Sequence, residues 1–572
     1  MKENYLVDVV IPLPLNRHYT YSSKSRVEIG THLKVPFGNN NEIADAITIS
    51  DSYKKDTSFP IKGILSVEKK ILSKKQIQFF VWASKYYLVE LPKVINSLFP
   101  KHIFDISKIS KNEIKYRIDN LFKCTVVVDN SKNYFSFIDN KTEKLEDKNS
   151  QILILCPNIL KSYELILRLK SRAFLYNSSI SDKESKEIWE KVLNNEDLVI
   201  IGVKSALFLP FKNLREIFVV DENDIAYKES DKILRFNARD SAVMLSKIHN
   251  CKINLMCNFP SIESTKNIKE KKYNLINKKA SLELKVEKRI NINNILEKKI
   301  KEQYDGILSN DIRTKILERL KKNKKTLIFT PLSSNIKVIR KSLSFLGSEN
   351  VKIYELIKKN LNSKTKINNL IKSIEKFDII IGNQSVLFTS LFKNFDLIIL
   401  IEPEKIGKRS NYRSNEILFN LLYKSVNYLK YNQSSSLIIL TNESQNKIFK
   451  SAIKLDYKGF IKGELIERKL FKYPPYSKII KIELISSNYT KKSEMGKFLF
   501  ENIKKDFKNL NVKDIGFDSN DDKYEIIIKI TDTKPLNSIK EKIKKFLSKK
   551  IKNNGFSEIL INIDIDLSLI HI

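Results

Sequence analysis

Two carboxylates, Asp221 and Glu222, close an apolar run in the segment IFVVDENDIAYKES, residues 217–230. Buried parallel strands gather their loops at their carboxyl ends. The pair is therefore delivered at a sheet edge, where two carboxylates can hold a divalent cation and orient a water for phosphoryl transfer. An earlier run, LVIIG (198–202), leads into KSALFLPF, and a later one, INLMC (253–257), leads into NFPSIES. What that chemistry needs upstream is missing. A nucleotide site wraps phosphates in the successive N–H groups of a glycine-rich turn, followed by Lys-Ser/Thr at a helix start. No glycine stands between Lys101 and Asn158, and the Lys-Thr pair in that stretch, Lys141-Thr142, is flanked by Asp139 and Glu143. Their negative charge would oppose a triphosphate.

The elements that must position these groups alternate along the chain. At 572 residues there is room for about three or four domains. Residues 1–100 read as a small β-rich domain (YLVDVVIPL, YTYSS, THLKVPF, DAITIS) followed by a helix in QIQFFVWASKYYLVELP. A connector is expected over 101–133, an α/β lobe over 134–267 and a linker over 268–310. A second α/β lobe follows over 311–442, with buried strands in TLIFTP, FDIIIGN, DLIILIEP and SLIILTN. An α+β domain is expected over 443–572. Lys and Arg outnumber Asp and Glu 103 to 66, a net +37, which favours a polyanionic partner such as nucleic acid. General enrichment in Lys, Asn and Ile accounts for part of that excess. The cysteines Cys124, Cys156, Cys251 and Cys257 form no CxxC pair, so neither a zinc ribbon nor a disulfide framework is expected. Sparse thiols and the lack of a bilayer-length apolar run point to a soluble, cytoplasmic protein.

In order and spacing, these segments resemble the PriA family, the replication-restart helicases also called primosomal protein N′. The matching pieces are VVIPLPLNRHYTY, LKVPFGN, PIKGI, WASKYYLVELPKVINSLFP, KSALFLP, Arg239-Asp240 and ERKLFKYPPY. The resemblance implies two RecA-like helicase lobes between an N-terminal domain that grips a 3′ DNA end and a C-terminal α+β domain. It also implies an end pocket made here by Tyr19, Thr20, Tyr21, Gly38 and Lys62. Tyrosine offers an aromatic face to the last base, glycine a close backbone approach and lysine a phosphate contact. Lys204, Lys228 and Arg239 fall in segments that face single-stranded DNA or brace the lobes in the family, and are expected as phosphate contacts.

Where the chain departs from the family, chemistry is lost. Thr20 replaces an aspartate, so recognition of a terminal hydroxyl is expected to be softer. The winged helix has no room in 101–133. Asp221-Glu222-Asn223-Asp224 stands for Asp-Glu-Glu-His, and Lys141-Thr142 is taken as the relic of the phosphate loop. Gly382-Asn383-Gln384 is kept, but Phe388-Thr389-Ser390 replaces a Lys-Gly-His turn. The arginine-finger block Gln-x-x-Gly-Arg-x-Gly-Arg falls on Lys424 to Tyr431, with Tyr428 and Tyr431 in place of both arginines. Tyrosine cannot supply a permanent bidentate cation, and loss of such an arginine removes about 10³–10⁵ in rate. The zinc insertion is absent, and Leu567 follows Asp566 where the family closes on Asp-Pro. The expectation is a PriA-like protein without ATP or zinc, binding forked or single-stranded DNA and recruiting primosome, helicase-loader or single-strand-binding proteins. Asp221, Glu222, Lys141 and Thr142 are then vestigial. The competing readings are an active ATP-dependent 3′→5′ helicase with a divergent nucleotide site and a protein-interaction scaffold.

Overall fold

A computed structural model describes residues 5–54, 60–106, 121–129, 134–143, 150–169, 173–230, 232–278, 286–297, 307–346, 351–357, 361, 363–383, 395–406, 412–508, 510–517, 523–531, 536–553 and 559–565. Among them the strands fall into four sheets. The first is antiparallel, in the order β2-β1-β4-β3-β5, from β1 (Tyr5–Val10), β2 (Tyr19–Ser23), β3 (Thr31–Phe37), β4 (Glu42–Thr48) and β5 (Ser66–Lys70). Alternation sets its faces: Val7, Val9, Tyr21, Leu33 and Val35 pack into one core, and Asp8 and Thr20, directly paired, face away from it. The following helix α1 (Lys74–Tyr87) opens on the Ser73 hydroxyl, which accepts from the Gln76 N–H at 3.1 Å. α2 (Leu91–Leu98) follows directly.

The first lobe is a parallel sheet in the order β12-β6-β11-β10-β7-β9-β8. Its strands are β6 (Lys123–Asp129), β7 (Gln151–Leu155), β8 (Ala173–Tyr176), β9 (Leu198–Gly202), β10 (Leu214–Val220), β11 (Lys252–Cys257) and β12 (Asn274–Lys278). Helices α3 (Tyr134–Glu143), α4 (Ile159–Arg168), α5 (Asp182–Leu193), α6 (Ala238–His249) and α7 (Ile262–Lys269) connect them. The N-terminal domain is fused to this lobe: Ser73 donates to the Phe211 carbonyl at 2.8 Å and the Trp189 indole to the Ile71 carbonyl at 3.2 Å.

The second lobe is also parallel, β13-β18-β17-β14-β16-β15. It uses β13 (Ile290–Asn294), β14 (Lys325–Phe329), β15 (Ile353–Leu356), β16 (Ile379–Gly382), β17 (Phe395–Ile401) and β18 (Ser436–Thr441). Its helices are α8 (Asn310–Lys321), α9 (Ser333–Ser342), α10 (Lys364–Ser373), α11 (Ser414–Tyr431), α12 (Lys447–Ile453) and α13 (Tyr457–Leu470). The last sheet is antiparallel, β20-β21-β19-β22, from β19 (Ser477–Ile485), β20 (Asn511–Phe517), β21 (Lys523–Thr531) and β22 (Leu560–Ile565), with α14 (Tyr489–Asp506) and α15 (Leu536–Asn553).

Three expected boundaries move. β6, inside the expected connector, lies between β12 and β11 and is buried from Cys124 onward. β12 and β13, both placed in the linker, join the first and second sheets. These strands are short and flanked by Lys and Asn, so they read as connectors until their neighbours cover them. At the other end, Phe449, Ala452, Ile461 and Leu465 of α12 and α13 pack into the second lobe's core, so residues expected in the C-terminal domain from Glu443 belong to the second lobe, and the C-terminal sheet starts with β19 at Ser477.

Candidate nucleic-acid interface

The N-terminal pocket assembles from three of its five expected residues. Tyr19 sets its ring edge-on to Phe37 at 5.3 Å, with the Arg17 guanidinium 5.2 Å from its centroid. Phe37 leads into Gly38, whose φ of +76° favours glycine although the space beside it is open. The Lys62 ammonium donates to the Gly38 carbonyl at 3.1 Å and to Asn41 Oδ1 at 2.6 Å. An aromatic face, a glycine turn and an exposed ammonium thus share one rim. Tyr21 is a correction: its side chain is buried and its hydroxyl donates to the Pro36 carbonyl at 2.9 Å, so it supports the pocket from inside. Burial raises its phenol pKa. Thr20 is a second correction, because strand alternation turns it to the opposite face. There its hydroxyl donates to Asp8 Oδ1 at 2.7 Å, and the Tyr53 hydroxyl reaches the same oxygen at 3.2 Å.

The acidic tip at the end of β10 is held by internal cations. Asp221, in a left-handed turn with φ 53°, has its Oδ2 3.9 Å from the ammonium of Lys161 on α4. That ammonium also pairs with Glu164 at 3.1 Å and lies 5.2 Å from the centroid of Phe135, the second residue of α3. The Arg168 guanidinium sits 4.3 Å from the same ring. Glu222 is fully buried and accepts from Arg239 at 3.2 Å, from the Ser261 N–H at 2.6 Å and from the hydroxyls of Ser261 and Ser264. Burial pushes its carboxyl up, and Arg239 with these serines pulls it back. Asp224 caps the short turn Ile225–Tyr227 and pairs with Lys424 of α11 at 3.3 Å. Each carboxylate of Asp221-Glu222-Asn223-Asp224 therefore faces a cation of the protein itself.

The three expected phosphate contacts of the first lobe are all engaged by groups of the protein itself, and Lys228 and Arg239 are buried. Lys228 donates to Asp564 Oδ1 at 2.6 Å and to the carbonyls of Ile565 and Arg235, each at 2.8 Å. Arg239 is buried among Glu222, Asp240 and Glu263, which raise its pKa against the cost of burial. Lys204 pairs with Glu229 at 3.2 Å and donates to the Lys228 carbonyl. Burying a charge is tolerated where partners replace water, and for Lys228 the decisive partners, Asp564 and Ile565, lie 336 and 337 residues further along the chain.

Lys141-Thr142 is corrected too. The pair sits in the last turn of α3, where Thr142 is buried and bonds the Asp139 carbonyl at 3.0 Å. A phosphate loop belongs between β6 and the start of α3, and residues 130–133 there lie outside the described residues, as do Gln384, Phe388-Thr389-Ser390, Asp566 and Leu567. In the arginine-finger block, the Tyr428 hydroxyl accepts from the Phe395 N–H at 2.9 Å and its ring packs against the second lobe's core.

A groove of about 910 Å³ opens between α1, α6, α7 and α15. Its lining carries eight basic against four acidic side chains. Trp82 and Tyr86 stack at 5.2 Å on its α1 wall, with the Lys540 ammonium 3.4 Å from the Tyr86 centroid. None of these groove residues was singled out from the sequence as a site, because Trp82 and Tyr86 read as ordinary positions of a family-matched helix.

The family profile for the PriA 3′ DNA-binding domain (3′BD) matches residues 8–100. The replication restart protein PriA of Rickettsia conorii is 26% identical over 650 residues, covering 98% of each chain. The chain is similar to PriA proteins over nearly its whole length. The PriA of Borreliella burgdorferi is 26% identical, with 85% of this chain and 86% of that one covered, and the PriA of Helicobacter pylori strain 26695 is 24% identical, with 83% and 86% covered. The PriA 3′BD match takes in the Tyr19, Gly38 and Lys62 rim whole. Among the described residues no helix is long and apolar enough to cross a membrane.

Proposed function

We propose that this protein binds branched DNA at stalled replication forks, takes a strand end against the Tyr19, Gly38 and Lys62 rim, and helps assemble the primosome without hydrolysing ATP. The observation that carries the DNA role is the coincidence of that rim with the matched 3′ DNA-binding domain. A half-exposed aromatic beside an ammonium is the chemistry that stacks a base and neutralises a phosphate. The groove beside Trp82 and Tyr86 offers a second anion-receptive surface, for a loader or single-strand-binding partner.

Support for the missing hydrolysis comes from the acidic tip. An Mg²⁺–nucleotide complex needs the carboxylates free to face it, and here Lys161, Arg239 and Lys424 face them instead. Tyr428 cannot stabilise charge on a transferring phosphoryl group. The protein acts in the cytoplasm, with a separate enzyme supplying unwinding.

The test is titration of the full-length protein against a fork with a 3′ end at the junction and against blunt duplex, over a salt series, with ATP turnover measured in parallel. Fork preference whose affinity falls steeply with salt, with no turnover above background, is expected. DNA-stimulated turnover sinks the ATP-free reading. Equal, weak binding to both substrates sinks the DNA role.

A further inference from the structure

The sequence leaves an unexplained pair of changes. Asp224 stands where the family motif has His, and Lys424, 200 residues later, stands where it has Gln. The structure brings them together across the two lobes: Lys424 Nζ lies 3.3 Å from Asp224 Oδ2, with the side chains 9% and 4% exposed. Next to this ion pair, the Asn420 amide donates to the Asn223 carbonyl at 3.2 Å. Glu263 of the first lobe takes Arg413 from the start of α11, with Arg468 of α13 at 3.8 Å. Phe259 of the first lobe meets Phe419 and Tyr423 of α11 at 5.4 and 4.7 Å.

We infer that the Asp224–Lys424 ion pair is a built-in latch that holds the two lobes closed without nucleotide. In an ATP-driven pair of lobes the bound metal–nucleotide complex bridges the acidic tip to the second lobe. Here a lysine of the second lobe makes that bridge itself. The two charges are complementary and desolvated, so each is costly without the other. The aromatic contact adds an apolar patch beside these polar contacts, which disfavours the free domain motion expected of small, wholly polar interfaces. A lobe pair closed in this way presents one fixed DNA surface. This inference rests on the ATP-free reading proposed above.

The test uses the full chain with one spin label on α5 and one on α9, the four native cysteines being buried. The wild type is expected to give a single narrow interlobe distance that Mg²⁺-ATP does not change. Lys424→Glu lengthens and broadens it and weakens fork binding by about tenfold. The exchange Asp224→Lys with Lys424→Asp restores both. Should Lys424→Glu not fold, Lys424→Met and Asn420→Ala read the same distance, and broadening in either supports the latch. An unchanged distance in the folded variants overturns it, as does a broad wild-type distance that narrows only with Mg²⁺-ATP. A narrow wild-type distance without fork preference leaves the latch standing and removes the DNA role.

Discussion

Replacing Lys228 by alanine separates a structural lysine from a DNA-binding one. Its ammonium makes three short contacts, to Asp564 and to the carbonyls of Arg235 and Ile565, and its side chain is 4% exposed. Breaking a buried ion pair costs about 3–5 kcal/mol because the partner charge stays behind. Asp564 would still have the Arg235 guanidinium at 3.9 Å and the charge of Lys481, so a loss near the lower end, about 3 kcal/mol, is expected. That corresponds to roughly a hundredfold shift in the unfolding equilibrium. Because Asp564 lies on β22, which pairs with β19, the loss falls on the docking of the C-terminal sheet. Urea titration should show a lower midpoint at unchanged slope, with earlier proteolytic release of the C-terminal domain. The salt dependence of DNA binding should not change. If Lys228 instead bound phosphate, Lys228→Ala would keep its stability and the log K against log salt slope would fall by about one. That result would refute the placement of Lys228 as a brace.

Further outcomes follow from other sites. Tyr19→Ala should weaken binding to a fork with a 3′ end by about 1–3 kcal/mol, the range for losing one base stack, and leave blunt-duplex affinity unchanged. Lys141→Ala, at the far end of α3, should leave ATP turnover, fold and fork affinity as they are in the wild type. His249 is buried with neither ring nitrogen bonded, and burial, with Lys75 nearby, lowers its pKa from 6.5 to about 3. Below pH 6.5 the unfolded chain takes up a proton that the folded protein refuses. Stability should therefore fall by about 1.4 kcal/mol per pH unit from there toward pH 3, and His249→Leu should flatten that part of the profile.

The strands that show in the sequence are those whose apolar runs are long enough to stand out, such as Ile217–Val220, Leu397–Ile401 and Ile526–Ile528. Each is buried in a sheet centre. β6 and β13 escape notice because CTVVV and ININ are short and bounded by Lys and Asn. Only its β12 and β11 neighbours show that β6 is interior, and only pairing with β18 shows that β13 extends the second sheet at its edge. Three of the five pocket residues are legible because Tyr19 on β2, Gly38 just after β3 and Lys62 ahead of β5 belong to one small domain, where local spacing fixes geometry. Lys228, Arg239 and Lys204 mislead because lysine and arginine are surface residues by default. What buries Lys228 is a strand 336 residues further on. The Asp224–Lys424 pairing is likewise long-range, and its clue in the sequence, a complementary double change within two family motifs, means nothing until the lobes are seen to meet there.

The most direct measurement is equilibrium binding of the purified full-length protein to a forked DNA carrying a 3′ end at the junction, with and without Mg²⁺-ATP. Fork-preferring affinity that is the same in both conditions is expected, because internal cations already occupy the acidic tip. An affinity that changes with Mg²⁺-ATP, accompanied by hydrolysis, would contradict that expectation.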